Sequence, residues 1–220
     1  MKIMLPQTGI EITHCEEQVL VFCAVDPFYC KFDRRGIELA AARPNVIVRK
    51  QIERLNRYMN GRSPYHRWQG LLESPLHELE VLSTKSDLVD MSDDEWKGLR
   101  PRVEELYRRL MQGGIGPAAG TKIAYLHRPR LIAMADRRVA QALGCKGPPV
   151  ERALAVADAV RRAGRFEGNR DALDDIQRYL ASRTLEGRAI ELSKARVLDA
   201  LVWMEATGTY RHLWEAYGWD

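Results

Sequence analysis

Residues 114–139 read GIGPAAGTKIAYLHRPRLIAMADRRV, and the order of residue types in this stretch decides how the chain folds around it. Gly114 and Gly116 bracket Ile115, a pattern that permits a tight turn whose backbone amides point outward and approach a phosphate closely. The chain leaves the turn at Gly113 to Pro117 as a helix predicted over 118–127, which Pro129 breaks. An apolar segment follows, and Asp136, 20 residues past Gly116, opens a basic helix with Arg137 and Arg138.

Working outward, Ser92 with Glu95 three residues on forms a capping box, and Asp93 and Asp94 suit the positive end of a helix. A helix is therefore predicted over about 93–111, leading into the turn. The stretches VIVRKQIERLNRYM (46–59) and VERALAVADAVRRAG (150–164) carry apolar residues at three- and four-residue intervals. Pro149 fits a first helical turn, Asn169 is expected to cap a helix over RDALDDIQRYLAS, and a last long helix is placed at about 187–206, ending at Gly208. Strand signals are confined to the first 35 residues, where EQVLVFCAV is rich in β-branched residues yet equally compatible with a buried helical segment. The fold class is mainly α with a minor N-terminal strand element.

A chain of 220 residues is long enough for one helical domain or two interleaved lobes, the turn-bearing lobe spanning about 93–145. With 45% hydrophobic and 29% charged residues and a mean hydropathy of −0.36, it is neither disordered nor a membrane protein. The first residues lack the layout of a signal peptide, so a cytoplasmic location is expected. The four cysteines, Cys15, Cys23, Cys30 and Cys145, form no C-x-x-C pair and read as reduced core thiols. A zinc site from His14, Cys15, Cys23 and Cys30 is the alternative, although structural sites use tighter spacing. His14, His77 and His212 show no paired metal spacing, and Trp203, Trp214 and Trp219 read as packing of the last helices.

Net charge is +4 with a pI near 8.9, and its distribution is uneven. From Arg108 to Arg138 there are seven Lys/Arg and one acid, Asp136, whereas from Glu73 to Glu95 there are eight acids and one lysine, Lys85. This asymmetry places a positive side around the glycine turn, where a polyanion would dock; a solvated charged face is the bland reading of either cluster alone.

The spacing G-hydrophobic-G, then Asp136 with Val139 three residues on and Leu143-Gly144 after it, resembles the helix-hairpin-helix DNA glycosylase superfamily over about 30 residues, from Gln112 to Gly144. That family usually has Leu-Pro where this chain has Gln112-Gly113, and Val or Leu where Ala135 precedes the aspartate. The segments TKIAYLHRPRLIAMADRRV and LSKARVLDALVWM also look like parts of an uncharacterised bacterial family.

The first resemblance implies an enzyme on double-stranded DNA; no membrane contact is expected, and a monomer is favoured with the oligomeric state left open. It implies phosphate contacts from Gly114, Gly116, Gly120, Thr121, Lys122, Arg128, Arg130, Arg137 and Arg138, and a monovalent cation at the hairpin carbonyls. It makes Asp136 the catalytic carboxylate, facing C1′ of a flipped nucleotide and stabilising the cation that develops when the N-glycosidic bond breaks. Its bland reading is an ordinary N-cap, which would aim the carboxylate equally well. The position of the Schiff-base lysine in bifunctional relatives is Ala118, which implies a monofunctional enzyme without lyase activity; matching Gly120-Thr121-Lys122 to the motif instead would require a six-residue deletion before Asp136. The four-cysteine iron–sulfur spacing of some relatives is missing. Tyr65, His66, Trp68, Trp96, Tyr125 and His127 are candidates for a base pocket, with core packing the alternative for each. The expected function is release of a damaged or modified base, in repair or against foreign DNA. The competing readings are a non-catalytic DNA-binding module and a helical protein-interaction domain.

Overall fold

The structure, a computed structural model, describes residues 1–24, 28–59, 63–82 and 85–210. Strands β1 (Ile3–Leu5) and β2 (Ile10–Ile12) pair antiparallel, Ile3 opposite Ile12. Helix α1 (Cys15–Ala24) and a π-helical stretch (Phe28–Arg34) lead into α2 (Arg35–Ala42), α3 (Arg49–Tyr58) and the short α4 (His77–Glu80). Then come α5 (Asp93–Leu110), α6 (Pro117–His127), α7 (Arg137–Ala142), α8 (Pro149–Arg165) and α9 (Asn169–Ala181). A small hairpin of β3 (Thr184–Leu185) and β4 (Arg188–Ala189) precedes α10 (Lys194–Thr207). The chain is mainly helical, and among the described residues no helix is long and apolar enough to cross a membrane.

The capping box of α5 forms as its spacing dictates: Glu95 N donates to Ser92 Oγ at 3.2 Å, and Ser92 N donates to Glu95 Oε2 at 2.7 Å. Pro149 is the first residue of α8, where its missing N–H costs nothing.

One open reading is decided and two sequence expectations need correction. The β-branched EQVLVFCAV stretch is helical as far as it is described, through Ala24; Val19, Val21, Phe22 and Cys23 are buried, and a helix satisfies its own backbone there without a partner strand. Asn169 does not cap α9, whose N-cap is Gly168; its side chain instead accepts from Met4 N at 2.9 Å and donates to Met4 O and Ala163 O, fastening β1 to the end of α8. The last helix begins at Lys194 rather than 187, because Glu186 and Gly187 both take positive φ and turn the chain between β3 and β4. Ser193 then caps α10 by accepting from Arg196 N.

The core is one continuous cluster of buried side chains. Helix α6 runs through it, buried at every residue from Gly120 to His127 and packed against α2, α3, α5 and α8. Helix α10 is similarly buried from Lys194 to Val202. Because such helices face protein on all sides, they show no amphipathic stripe. Between α6 and α7, residues 131–135 cross the core without regular structure and deliver Asp136 to the start of α7.

Candidate active site

Between α5 and α6 the chain reverses in an exposed turn. Gly113 (φ +64°) and Gly114 (φ +81°) take the left-handed conformation, whereas Gly116 (φ −78°) is the N-cap of α6, so the backbone demands glycine at 113 and 114 rather than at the 114 and 116 of the G-hydrophobic-G pattern. Gly113, Gly114 and Gly116 are exposed and Ile115 is buried. The Gly114 carbonyl accepts from Arg67 Nη1 at 2.7 Å, so a guanidinium already sits at a carbonyl expected to face a monovalent cation.

Asp136 is the N-cap of α7, with Oδ1 accepting from Arg138 N at 2.9 Å. Its other oxygen, Oδ2, lies 3.5 Å from Lys122 Nζ. Lys122 projects from α6 with only 9% of its side chain exposed, and its amine also donates to Met59 O at 3.4 Å. Thr121, fully buried next to it, donates to Pro117 O and accepts from Ala135 N at 2.9 Å, tying the backbone just before Asp136 to α6.

Asp136 and Lys122 line a cleft of about 400 Å³. Phe22 and Trp203, ring centroids 6.3 Å apart and edge to face, form part of its apolar wall with Tyr58 and Met134. Asp199 of α10 lies in the same lining, its side chain 4% exposed. The Arg196 guanidinium is shared: Nε and Nη2 donate to the two oxygens of Asp33 at 2.8 and 3.2 Å, and Nη1 donates to Asp199 Oδ2. Asp199 Oδ1 is buried and has no hydrogen-bond partner among the described residues. Burial pushes the Asp199 carboxyl up to about 6, against the pull of Arg196 and with help from the Asp136 charge. Burial likewise raises Asp33, opposed by Arg196. Burial works against the Arg196 charge, but Asp33 and Asp199 outweigh it and hold the guanidinium protonated. A solvent-connected carboxylate beside an amine, above a buried acid and aromatic walls, suits a reaction in which positive charge develops on a bound ring.

The remaining predicted residues are dispersed. Gly120 lies inside α6 against Met111, and Thr121 is a core anchor, so neither reaches a phosphate. Arg128 is buried and donates to the carbonyls of His127, Leu82 and Leu79 and to Asn45 Oδ1; it ties the end of α6 to α4 and to Asn45, and this replaces the phosphate contact expected of it. Arg130 is half-exposed in a separate groove, 4.0 Å from Asp87. Arg137 and Arg138 are exposed on the first turn of α7, and Arg138 borders the cleft.

The expected base-pocket aromatics are not in the cleft. Trp68 is buried, its Nε1 donating to Ser63 Oγ, and Trp96 is buried with Nε1 donating to Asp158 Oδ1 between α5 and α8. Tyr125 is enclosed beside the Arg196 guanidinium, and Tyr65 stacks with Arg49 on an outer groove. His66 is exposed, whereas His127 is buried next to Gln51. Each large ring buries most area where the core is thickest, which explains why Trp68, Trp96 and Tyr125 went there.

Cys15, Cys23 and Cys30 are buried and Cys145 half-buried, all as free thiols; burial pushes Cys15 up to about 12 and Cys23 higher still. Among the described residues no three His, Cys, Asp or Glu side chains are grouped to hold a metal. His212, Trp214 and Trp219 lie outside the described residues.

Sequence reasoning missed Phe22, Tyr58, Trp203, Arg196 and Asp199 as cleft residues. A signal existed for the last two: Arg196 and Asp199 are three residues apart on a segment otherwise nearly all apolar, and buried charges need partners or a task.

No curated protein and no solved structure matches the chain. Residues 52–206, which contain Lys122, Asp136, Arg196, Asp199 and Trp203, match the Family of unknown function (DUF6308), and the chain belongs to that family.

Proposed function

We propose that this protein is a DNA N-glycosylase of the helix-hairpin-helix type, hydrolysing the bond between the sugar and a damaged or modified base. The observation that carries this reading is the placement of Asp136: its carboxylate caps α7 and faces an aromatic-walled cleft just downstream of an exposed glycine turn between two helices. A cleft of about 400 Å³ falls within the range of roughly 300–1,000 Å³ typical of sites that enclose a small ring system. The exposed glycine turn takes a phosphate, and the duplex lies along Arg137, Arg138 and the groove of α3, where Lys50, Arg54 and Arg57 flank Tyr58. In the cleft, Asp136 stabilises the sugar cation and orients water towards C1′.

Ala118, where a lyase of this type would carry its amine, favours hydrolysis that leaves the backbone uncut. One observation favours a second reading: Lys122 lies one helical turn further on the same face of α6 and puts its amine 3.5 Å from Asp136. In that reading Lys122 attacks C1′ and forms an imine. Incubation with duplexes carrying modified bases, followed by chromatography for free base and alkaline cleavage at the abasic site, tests the proposal. Borohydride trapping of a protein–DNA adduct separates the readings, and absence of base release across alkylated, deaminated and oxidised bases removes both.

A further inference from the structure

We propose that Asp199 is the proton donor of the cleft and protonates the departing base, while Asp136 faces the sugar. The reaction step rests on the glycosylase reading; the proton itself rests on the packing of α10.

One guanidinium, Arg196, serves two buried carboxylates. Asp33 takes two of its N–H groups in a bidentate pair, leaving Asp199 a single bond through Oδ2. Two ionised carboxylates against one cation would bury a surplus negative charge, which is costly in a dry environment. A proton removes the surplus, and it falls on the carboxyl with an oxygen to spare: Asp199 Oδ1 is buried without a partner, and Asp199 lies in the lining of the cleft. The other ionisable groups facing Asp199 are Lys122 and Tyr125 from α6, Asp136 and Arg138 from the start of α7, Arg57 and Tyr58 from α3 and Asp33 from the π-helical stretch. The Asp136 charge raises Asp199 further, and Lys122 opposes it. Asp199 is thereby shifted towards its protonated form, as a general acid requires.

The balance is simple. The C1′–N bond breaks with its electron pair remaining on the base, whose acceptor atom takes the Asp199 proton. Water then bonds to C1′ beside Asp136, and the proton it loses re-forms the neutral acid by way of solvent.

The test compares the wild-type protein with Asp199→Asn on two duplexes, one containing hypoxanthine, which needs a proton to leave well, and one containing 7-methylguanine, which is already cationic. Asp199→Asn should slow hypoxanthine release by roughly 100-fold or more and 7-methylguanine release far less. Wild-type release of hypoxanthine should decline as pH rises through about 6, and that dependence should vanish in the variant. Equal losses on both duplexes, an unchanged pH profile, or a wild-type protein that releases only the cationic base would overturn the proposal. The carboxyl ¹³C resonance of Asp199 in the intact protein should titrate near 6; a midpoint at the ordinary value of 3.8 overturns the donor whatever happens to the base. Release of neither base beside a midpoint near 6 instead removes the glycosylase reading, and the donor step with it.

Discussion

Thr121 Oγ1 accepts the N–H of Ala135 at 2.9 Å while donating to Pro117 O at 2.7 Å. A single hydroxyl thus links the first turn of α6, which leaves the glycine turn, to the residue preceding Asp136. Valine has nearly the same shape but no oxygen, so Thr121→Val strands a buried amide. It should lower stability by about 1–3 kcal/mol in urea denaturation. Base release should fall more than DNA binding does, because the Asp136 carboxylate loses its support. A variant as stable and active as the wild type would show that other contacts fix this segment.

Replacing Asp136 by asparagine keeps the cap and removes the charge. Base release should fall by roughly 100- to 1,000-fold, on the scale of losing one main electrostatic stabiliser, and affinity for undamaged duplex should change little. Full activity in Asp136→Asn, measured under single-turnover conditions, would discard Asp136 as the catalytic group.

Phosphate contacts are assigned to the exposed cations bordering the cleft and the α3 groove. Lys50→Ala, Arg57→Ala and Arg138→Ala should each reduce the slope of log affinity against log salt by about 0.9, on any sequence. Arg130→Ala, held near Asp87 in a separate groove, should leave the slope as it is. A drop in slope confined to Arg130→Ala would place the duplex on the other groove.

Arg128 behaves as a core residue despite its charge. Its removal takes a donor from the carbonyls of Leu79, Leu82 and His127 and from Asn45 Oδ1, so Arg128→Ala should cost about 3 kcal/mol or more. Lysine should not rescue it, since one ammonium cannot reproduce the planar fork. Thermal denaturation of both variants reads this directly.

Burial, with Arg128 adjacent, holds His127 down at about 4, where it stays neutral beside Gln51 Nε2, 3.2 Å away. The unfolded chain binds a proton at His127 below about 6.5 while the folded chain does not. The stabilisation is therefore complete above about 6.5 and is lost as pH falls towards 4. At roughly 1.4 kcal/mol per pH unit the span amounts to about 3 kcal/mol. Urea denaturation at a series of pH values checks the slope, and a His127 ring titrating near 6.5 in the folded protein would contradict it.

The sequence alone determined what rests on neighbours along the chain. Ser92 and Glu95 meet across one helical turn, Pro149 supplies a helical φ, and Pro129 and Gly208 end helices, so α5, α6 and α8 were legible to within a residue or two. The same holds for the exposed turn and for Asp136 as an N-cap, both set by local backbone geometry. Only the tertiary structure decided which cations reach solvent and which rings line the cleft. Lys122 and Arg128 lie six residues apart in a basic stretch, yet one enters the cleft and the other disappears among the carbonyls of Leu79, Leu82 and His127. Trp203 and Phe22 come from opposite ends of the chain, and the Asp199 carboxyl is raised by burial while Asp33, distant in sequence, takes two of the N–H groups of Arg196. Burial and charge sharing depend on what surrounds a group in space, and a helix enclosed on all sides, such as α6 or α10, carries no periodic pattern to say which way its polar residues point.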